Sequence, residues 1–250
     1  MLFASLKSFS YIESPLQKSL LSQKRLVIAI DGPAASGKST TAKLVAERLG
    51  FVHVDTGAMY RAITLKVLQK KIGPQDTERI ARLVESTQIA LRRESGTMRV
   101  FLDGKDVTDE IRSIEVTRAV SAVSSLRAVR QAMVREQRRM GEAVSVVAEG
   151  RDIGTVVFPS ADLKFFVIAG IEARAKRRQG DLLHQGVETN LTEIERAIEE
   201  RDALDSSREE SPLRKAADAI ELDTSDMTIE AQVDFVVEHV RRMQKKHEAS

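Results

Sequence analysis

The chain has 250 residues, enough for one large domain or for a core that carries an inserted lobe. Its 39 Lys and Arg nearly balance 37 Asp and Glu, and aromatic residues reach only 4%, which argues against nucleic acid or a membrane surface as a partner. The absence of cysteine excludes disulfides, thiol catalysis and Cys-ligated zinc, and it suits a reducing cytoplasm.

The first half of the chain predicts alternating strands and helices that follow an N-terminal extension. Residues 1–24 lack the continuous apolar run of a secretory signal, and we expect them to be flexible. The apolar periodicity then predicts, in order, a buried strand over 25–31, a helix over 39–49, a strand over 51–54 and a helix over 58–71. A change to two-residue alternation predicts an antiparallel hairpin of residues 88–92 and 98–103, inside an inserted lobe.

The second half returns to the same alternation and indicates an α/β doubly wound sheet. The predicted elements are helices over 114–123 and 128–140, strands over 144–148 and 163–168, a charged helical region over 172–208, a strand over 219–222 and a helix from 229. Ligands of such sheets bind beyond the carboxyl ends of the strands, where Asp31, Asp55 and residues 149–152 lie. We expect Asp31 to support the loop that follows it, and His53 to be a core histidine.

A phosphate-binding loop follows the first predicted strand. The residues of this P-loop are Gly32, Pro33, Ala34, Ala35, Ser36, Gly37, Lys38 and Ser39, followed by Thr40. They fit the pattern G-x-x-x-x-G-K-[ST] between a strand and a helix, which is the required context. Backbone N–H groups and the helix N-terminus bind phosphate, Lys38 can reach the β- and γ-phosphates, and the Ser39 hydroxyl can ligate Mg²⁺. The loop predicts triphosphate binding but specifies no reaction.

Arginines at three other places predict a second anion site. Their segments contain Thr56 and Arg61, Arg151 and Asp152, and Arg201, Asp205 and Arg208, the last three at helical spacing. Each has a plainer interpretation: Thr56 as a helix cap, Arg61 as a solvated charge, residues 150–152 as a surface loop and Arg201–Asp205 as an intrahelical ion pair. Two like charges 4 Å apart repel by about 4 kcal/mol at an effective dielectric of 20, so joining two phosphate-bearing substrates requires such cations.

These motifs together resemble bacterial cytidylate kinases. The matching segments are IAIDGPAASGKST, DTGAMYR, DVTDEIR, EGRDIGTVVFP and RDALDSSR, within about residues 25–245. The resemblance implies an α/β P-loop nucleoside monophosphate kinase fold with a five-stranded parallel core sheet and helices on both faces. It also implies an NMP-binding lobe that contains the hairpin, and a helical lid. The implied parts are a core of 25–72, 140–170 and 216–245, a lobe of about 73–139 and a lid of about 171–210.

The resemblance further implies transfer of the γ-phosphoryl group of ATP, with Mg²⁺, to CMP or dCMP. Lys38, Arg61, Arg151 and Arg208 would be catalytic, and the P-loop with Arg178 would bind ATP. The implied CMP site consists of Thr56, Arg61, Ser121, Arg130, Arg151, Asp152, Arg201, Asp205 and Arg208. Ser121 and Asp152 would accept from the cytosine amino group, and Arg130 would donate to N3 and O2. Glu149 and Leu204 depart from the family's usual Asp and polar residue.

Two other functions stay open on the sequence alone. One is a different P-loop small-molecule or nucleoside monophosphate kinase, in which Asp55 could serve as base for a hydroxyl acceptor. The other is a nucleotide-sensing P-loop protein without fast turnover. The expected partners are ATP and CMP or dCMP, with no nucleic acid and no membrane, for a cytoplasmic monomer.

Overall fold

The centre of the molecule is a parallel five-stranded sheet. The computed structural model describes residues 25–94, 97–184 and 186–248, and the predicted extension 1–24 lies outside them. The strands are β1 (Val27–Asp31), β2 (Val52–Asp55), β6 (Val146–Gly150), β7 (Leu163–Ile168) and β8 (Ile220–Asp223), in the spatial order β2-β6-β1-β7-β8. Each neighbouring pair is parallel, so all carboxyl ends meet at one edge.

Helices cover both faces of this sheet, because its strands are apolar on both sides. Ile28 and Ile30 of β1 pack with α1 (Lys38–Leu49) and α8 (Ile229–Glu248) on one face. Ala29 packs on the other face with α2 (Thr56–Gln69) and α5 (Arg127–Ala143). Near-continuous hydrophobic strands are typical of a sheet that is buried on both faces. The predicted fold class is therefore confirmed.

A small antiparallel sheet stands apart from the parallel one. It contains β3 (Ile89–Glu94), β4 (Thr97–Leu102) and β5 (Lys105–Asp106), so the predicted hairpin is correct. Helix α3 (Thr77–Glu85) precedes it and α4 (Ile114–Ser124) follows it. Two elements were not predicted from the sequence: α3, whose buried apolar residues are Ile80 and Val84, and β5, which has two residues.

The charged region before β8 is divided into two helices. Helix α6 (Ile171–His184) and helix α7 (Leu191–Ser207) pack against each other around Ala175, Ile194 and Ile198. The boundaries of core, lobe and lid remain predictions. Within the described ranges, no helix is both long enough and apolar enough to cross a membrane.

The register of the central strands gathers polar groups at one edge. Asp55 of β2 pairs with Glu149 of β6, and Asp31 of β1 pairs with Gly150. A π-helical turn, Ile153–Val157, follows β6. The Asp31 carboxylate accepts hydrogen bonds from the backbone N–H groups of Ile153 (2.8 Å) and Gly154 (2.7 Å). The expectation that Asp31 supports the P-loop is therefore wrong, because this carboxylate fixes the turn after β6.

Candidate active site

A cleft of about 1110 Å³ opens at the carboxyl edge of the sheet, between the P-loop, α4 and the α6–α7 pair. Ten Lys or Arg side chains and seven Asp or Glu side chains line it, so its wall is positive although the whole chain is nearly neutral. All predicted site residues line this cleft except Gly32 and Pro33. The cleft thus combines into one polar site segments that lie as far apart in sequence as Ala34 and Gln232.

The P-loop has the shape needed to surround an anion. Gly37 has a φ of 87°, and α1 begins immediately after it with its free N–H groups. A Cβ on Gly32 would lie 2.2 Å from the carbonyl oxygen of Val167, so only glycine fits there. The Lys38 ammonium donates to the Pro33 carbonyl at 3.1 Å. Burial, and then the positive charge of nearby Arg151, lower the pKa of Lys38 to about 7.

Ser39 and Glu149 meet at the end of this loop. The Ser39 hydroxyl donates to Glu149 Oε2 at 2.5 Å, and His53 Nε2 lies 3.3 Å from Glu149 Oε1. Burial alone would raise the pKa of Glu149, but His53, the Lys38 charge and Ser39 together lower it. Burial likewise opposes the charged form of His53, whereas Glu149 raises its pKa overall. His53 is largely buried, as expected of a core histidine, but its ring also contacts a site carboxylate.

The start of α2 supplies the next part of the cleft wall. Asp55, and not Thr56, caps the helix, since the Asp55 carboxylate accepts from the Ala58 N–H at 2.9 Å. Thr56 is the first helical residue, and its hydroxyl donates to the carbonyl oxygen of Glu149 at 2.6 Å. Arg61 donates to the Thr117 hydroxyl at 2.9 Å and is mostly buried, so it is not a solvated surface charge.

Arginines from β6 and α7 surround a single carboxylate. Arg151 Nε donates to Asp205 Oδ2 at 2.8 Å, and Arg208 Nη1 lies 3.7 Å from Asp205 Oδ1. Asp205 therefore pairs across the cleft with Arg151, which contradicts the intrahelical Arg201–Asp205 pair. Burial and then the charge of Arg151 lower the pKa of Arg201 to about 10. The cations outnumber their counter-ion here, so a bound anion would relieve their mutual repulsion.

A buried ion pair occupies the far end of the cleft. Arg130 Nη2 donates to Asp152 Oδ2, and both side chains are no more than 5% exposed. The Arg130 guanidinium lies over the Tyr60 ring, 5.2 Å from its centroid. Ser121 lines the same cleft from α4. A flat ring bound here would meet a hydrogen-bond donor and an acceptor side by side.

The cytidylate kinase family model matches residues 28–242. The chain belongs to the cytidylate kinase family. It is similar to the cytidylate kinases of Bacillus thuringiensis (strain Al Hakam), Bacillus cereus (strain AH187) and Bacillus anthracis (strain CDC 684 / NRRL 3495). Each of them is 47% identical over 214 residues, which cover 86% of this chain and 95% of the relative.

In this cytidylate kinase family member, the α6–α7 pair contacts the P-loop directly. Asp202 Oδ1 accepts from the Ala34 N–H at 3.2 Å, and Arg174 donates to the carbonyl oxygen of Ala34 and to Asp202. Arg178 lines the cleft from α6. Leu204, one of the departures from the family pattern, also lines the cleft and is 58% exposed.

Several polar residues of the cleft wall were not predicted from the sequence. They are Tyr60, Arg112, Thr117, Arg118 and Arg177. Tyr60 and Arg112 lie inside the motifs that carry the family resemblance, so those motifs could have indicated both. Thr117 is recognisable only from its bond to Arg61, and Arg177 only from its bond to the Thr224 hydroxyl at 3.0 Å.

Proposed function

We propose that this chain transfers the γ-phosphoryl group of ATP to CMP or dCMP. The observation that carries the proposal is the cluster of buried arginines that shares one cleft with the P-loop. The charges of Arg151 and Arg201 both lower the pKa of Lys38, so these guanidiniums lie close to the ammonium of the P-loop. Two phosphate groups could therefore meet between them.

The arginines suit an acceptor that already carries a phosphate. A phosphate monoester is itself a nucleophile, and what it requires is charge neutralisation and in-line placement. We propose that Thr56, Arg61, Arg151, Arg201, Asp205 and Arg208 hold the acceptor phosphate and ribose, and that the P-loop with Arg178 holds ATP. One arginine directed at the transferring group contributes on the order of 10³–10⁵ in rate.

The buried Arg130–Asp152 pair supports cytosine as the base. Cytosine presents an amino donor beside two acceptors, and a carboxylate beside a guanidinium complements that edge. Uracil would place a carbonyl oxygen against Asp152, so two acceptors would face each other. Ser121 lies on the same wall and would add a second acceptor for the amino group.

The residues at the P-loop also fit Mg²⁺ that arrives with the nucleotide. The described residues contain no group of three or more His, Cys, Asp or Glu that could hold a metal by itself. Mg²⁺ in phosphoryl-transfer sites is usually bound through one or two carboxylates, substrate phosphates and water. The Ser39 hydroxyl and the Glu149 carboxylate, 2.5 Å apart, offer that limited set. The ion would neutralise the charge that develops on the phosphates.

A panel of acceptors tests the proposal. ADP release from Mg·ATP is measured with CMP, dCMP, UMP, AMP and dTMP, and we expect CMP and dCMP to be used fastest. Equal or faster turnover of UMP or AMP would refute the role for cytosine while leaving the phosphotransfer intact. Tight ATP binding without ADP release for any acceptor would indicate a nucleotide sensor. We further propose a monomer in the cytoplasm, for which turnover per chain should be independent of protein concentration.

A further inference from the structure

His53 contacts the cleft only through another side chain. It lies on β2, an edge strand of the sheet, and it is not among the residues that line the cleft. Its Nε2 lies 3.3 Å from Glu149 Oε1, and its side chain is 11% exposed. The strand register places His53 opposite Val147, so the contact runs diagonally to Glu149. Such a contact needs the full length of both side chains.

Both oxygens of the Glu149 carboxylate face a polar side chain. Oε1 faces His53, and Oε2 accepts from the Ser39 hydroxyl at 2.5 Å. The terminal torsion of a glutamate is broad and turns easily. The contact of Oε1 with His53 is an ion-pair contact without hydrogen-bond geometry, and it favours one plane in which Oε2 is presented to Ser39. With Glu149 only 2% exposed, water has little access to replace that contact.

We propose that His53 is a positioning residue that orients Glu149 toward Ser39 and the Mg²⁺ of the bound nucleotide. The proposal rests on the proposed function, because it assumes that Ser39 and Glu149 serve Mg·ATP. Groups that contact a metal ligand and orient it, without binding the metal themselves, contribute about 10- to 100-fold to metal affinity. A merely structural His53 would stabilise the edge strand and would leave the Mg²⁺ dependence of nucleotide binding unchanged.

The test compares ATP binding with Mg²⁺ and with EDTA by calorimetry, beside thermal unfolding of the free protein. The variants are His53→Val, His53→Asn, whose amide is too short to reach Glu149, and His53→Gln, whose amide can replace Nε2. We expect the ratio of the Kd in EDTA to the Kd in Mg²⁺ to fall about tenfold in the first two and to be largely kept in His53→Gln. The pair of Val and Asn variants keeps the test valid if one of them does not fold.

A matched control is His239→Val. His239 is a half-buried histidine of α8 that packs on Phe235 and Phe165, far in sequence from the P-loop. The His239→Val substitution should lower the unfolding temperature and leave the ratio of the Kd in EDTA to the Kd in Mg²⁺ as in the parent. A folded His53→Val or His53→Asn with an unchanged ratio would overturn the proposal. Binding of ATP needs no acceptor, so failure here can be told apart from failure of CMP phosphorylation in the acceptor panel.

Discussion

Replacing Asp152 by Asn removes one negative charge from the buried end of the cleft and keeps the shape of the side chain. Both Asp152 and Arg130 are no more than 5% exposed, so the loss leaves a buried guanidinium beside a neutral amide. Breaking a buried pair outright costs about 3–5 kcal/mol. Because Asn retains an acceptor oxygen for Arg130, we expect the free energy of unfolding to fall by about 1–3 kcal/mol.

The same change should remove the part of the discrimination between cytosine and uracil that Asp152 provides. In the parent, uracil leaves two acceptors unpaired, at a cost of about 1–3 kcal/mol, which corresponds to about 5- to 150-fold in kcat/KM. The Asn amide can rotate and donate to the uracil carbonyl, so the CMP/UMP ratio should fall by about that factor. Some preference for cytosine should remain, because Arg130 would still donate toward N3, which accepts in cytosine but carries a hydrogen in uracil. ATP affinity should change little, because Asp152 is remote from the P-loop in the proposed assignment.

The assay is coupled ADP release with CMP and with UMP, together with calorimetric titration of ATP. Asp218→Asn is a matched control, since Asp218 pairs with Lys164 and does not line the cleft. A folded Asp152→Asn variant with the parental CMP/UMP ratio would refute the assignment of Asp152 to the base. If Asp152→Asn lowered only the affinity for ATP, that result would also contradict the assignment of Asp152 to the base.

Three other predictions concern protonation, packing and motion. The pKa of Lys38 is lowered to about 7, and a bound phosphate should restore its positive charge. ATP binding at pH 8 should therefore take up close to one proton, and the affinity for ATP should weaken up to tenfold per pH unit above 7. Calorimetry in buffers of different ionisation enthalpy detects the proton uptake, which Lys38→Met should lose. Gly141→Ala would place a Cβ 2.7 Å from the Phe158 ring, so the free energy of unfolding measured by chemical denaturation should fall by about 1–3 kcal/mol. Gly180 has open space around it, so Gly180→Ala should raise the free energy of unfolding. Amide hydrogen exchange over residues 171–210 should slow when ATP and CMP are both added, and unchanged exchange would contradict a closing lid.

Local patterns were sufficient for much of the fold. The strand of Leu163–Ile168 was predicted at its observed ends, and the P-loop follows from eight residues with a strand before them and a helix after them. Runs of apolar residues and glycine turns report directly on backbone structure. Helix α3 was missed although its sequence carries a signal, since Asp76 caps it and Ile80, Leu83 and Val84 repeat at helical spacing. It has only nine residues, a length that is marginal without its packing against α5.

Contacts between distant segments could not be predicted in the same way. The Asp31 carboxylate bonds to the turn at Ile153, more than 120 residues away, and nothing in the local sequence indicates that pairing. Asp205 pairs with Arg151 only because α7 folds over the end of β6. The helical spacing of Arg201 and Asp205 indicated a shared face correctly, but the partner of each charge depends on tertiary structure.

The charges of the cleft also distinguish between a phosphate and a hydroxyl as acceptor. A hydroxyl acceptor needs a base near the γ-phosphate, and Asp55 is the carboxylate that the sequence offers. Its Oδ1 is engaged by the N–H of Ala58 at the start of α2, which makes it a helix cap. The guanidiniums around Asp205 are only partly neutralised, and burying them costs stability. A neutral hydroxyl acceptor would not neutralise their charge. A second phosphate would offset that cost, and this favours a nucleoside monophosphate over a neutral acceptor.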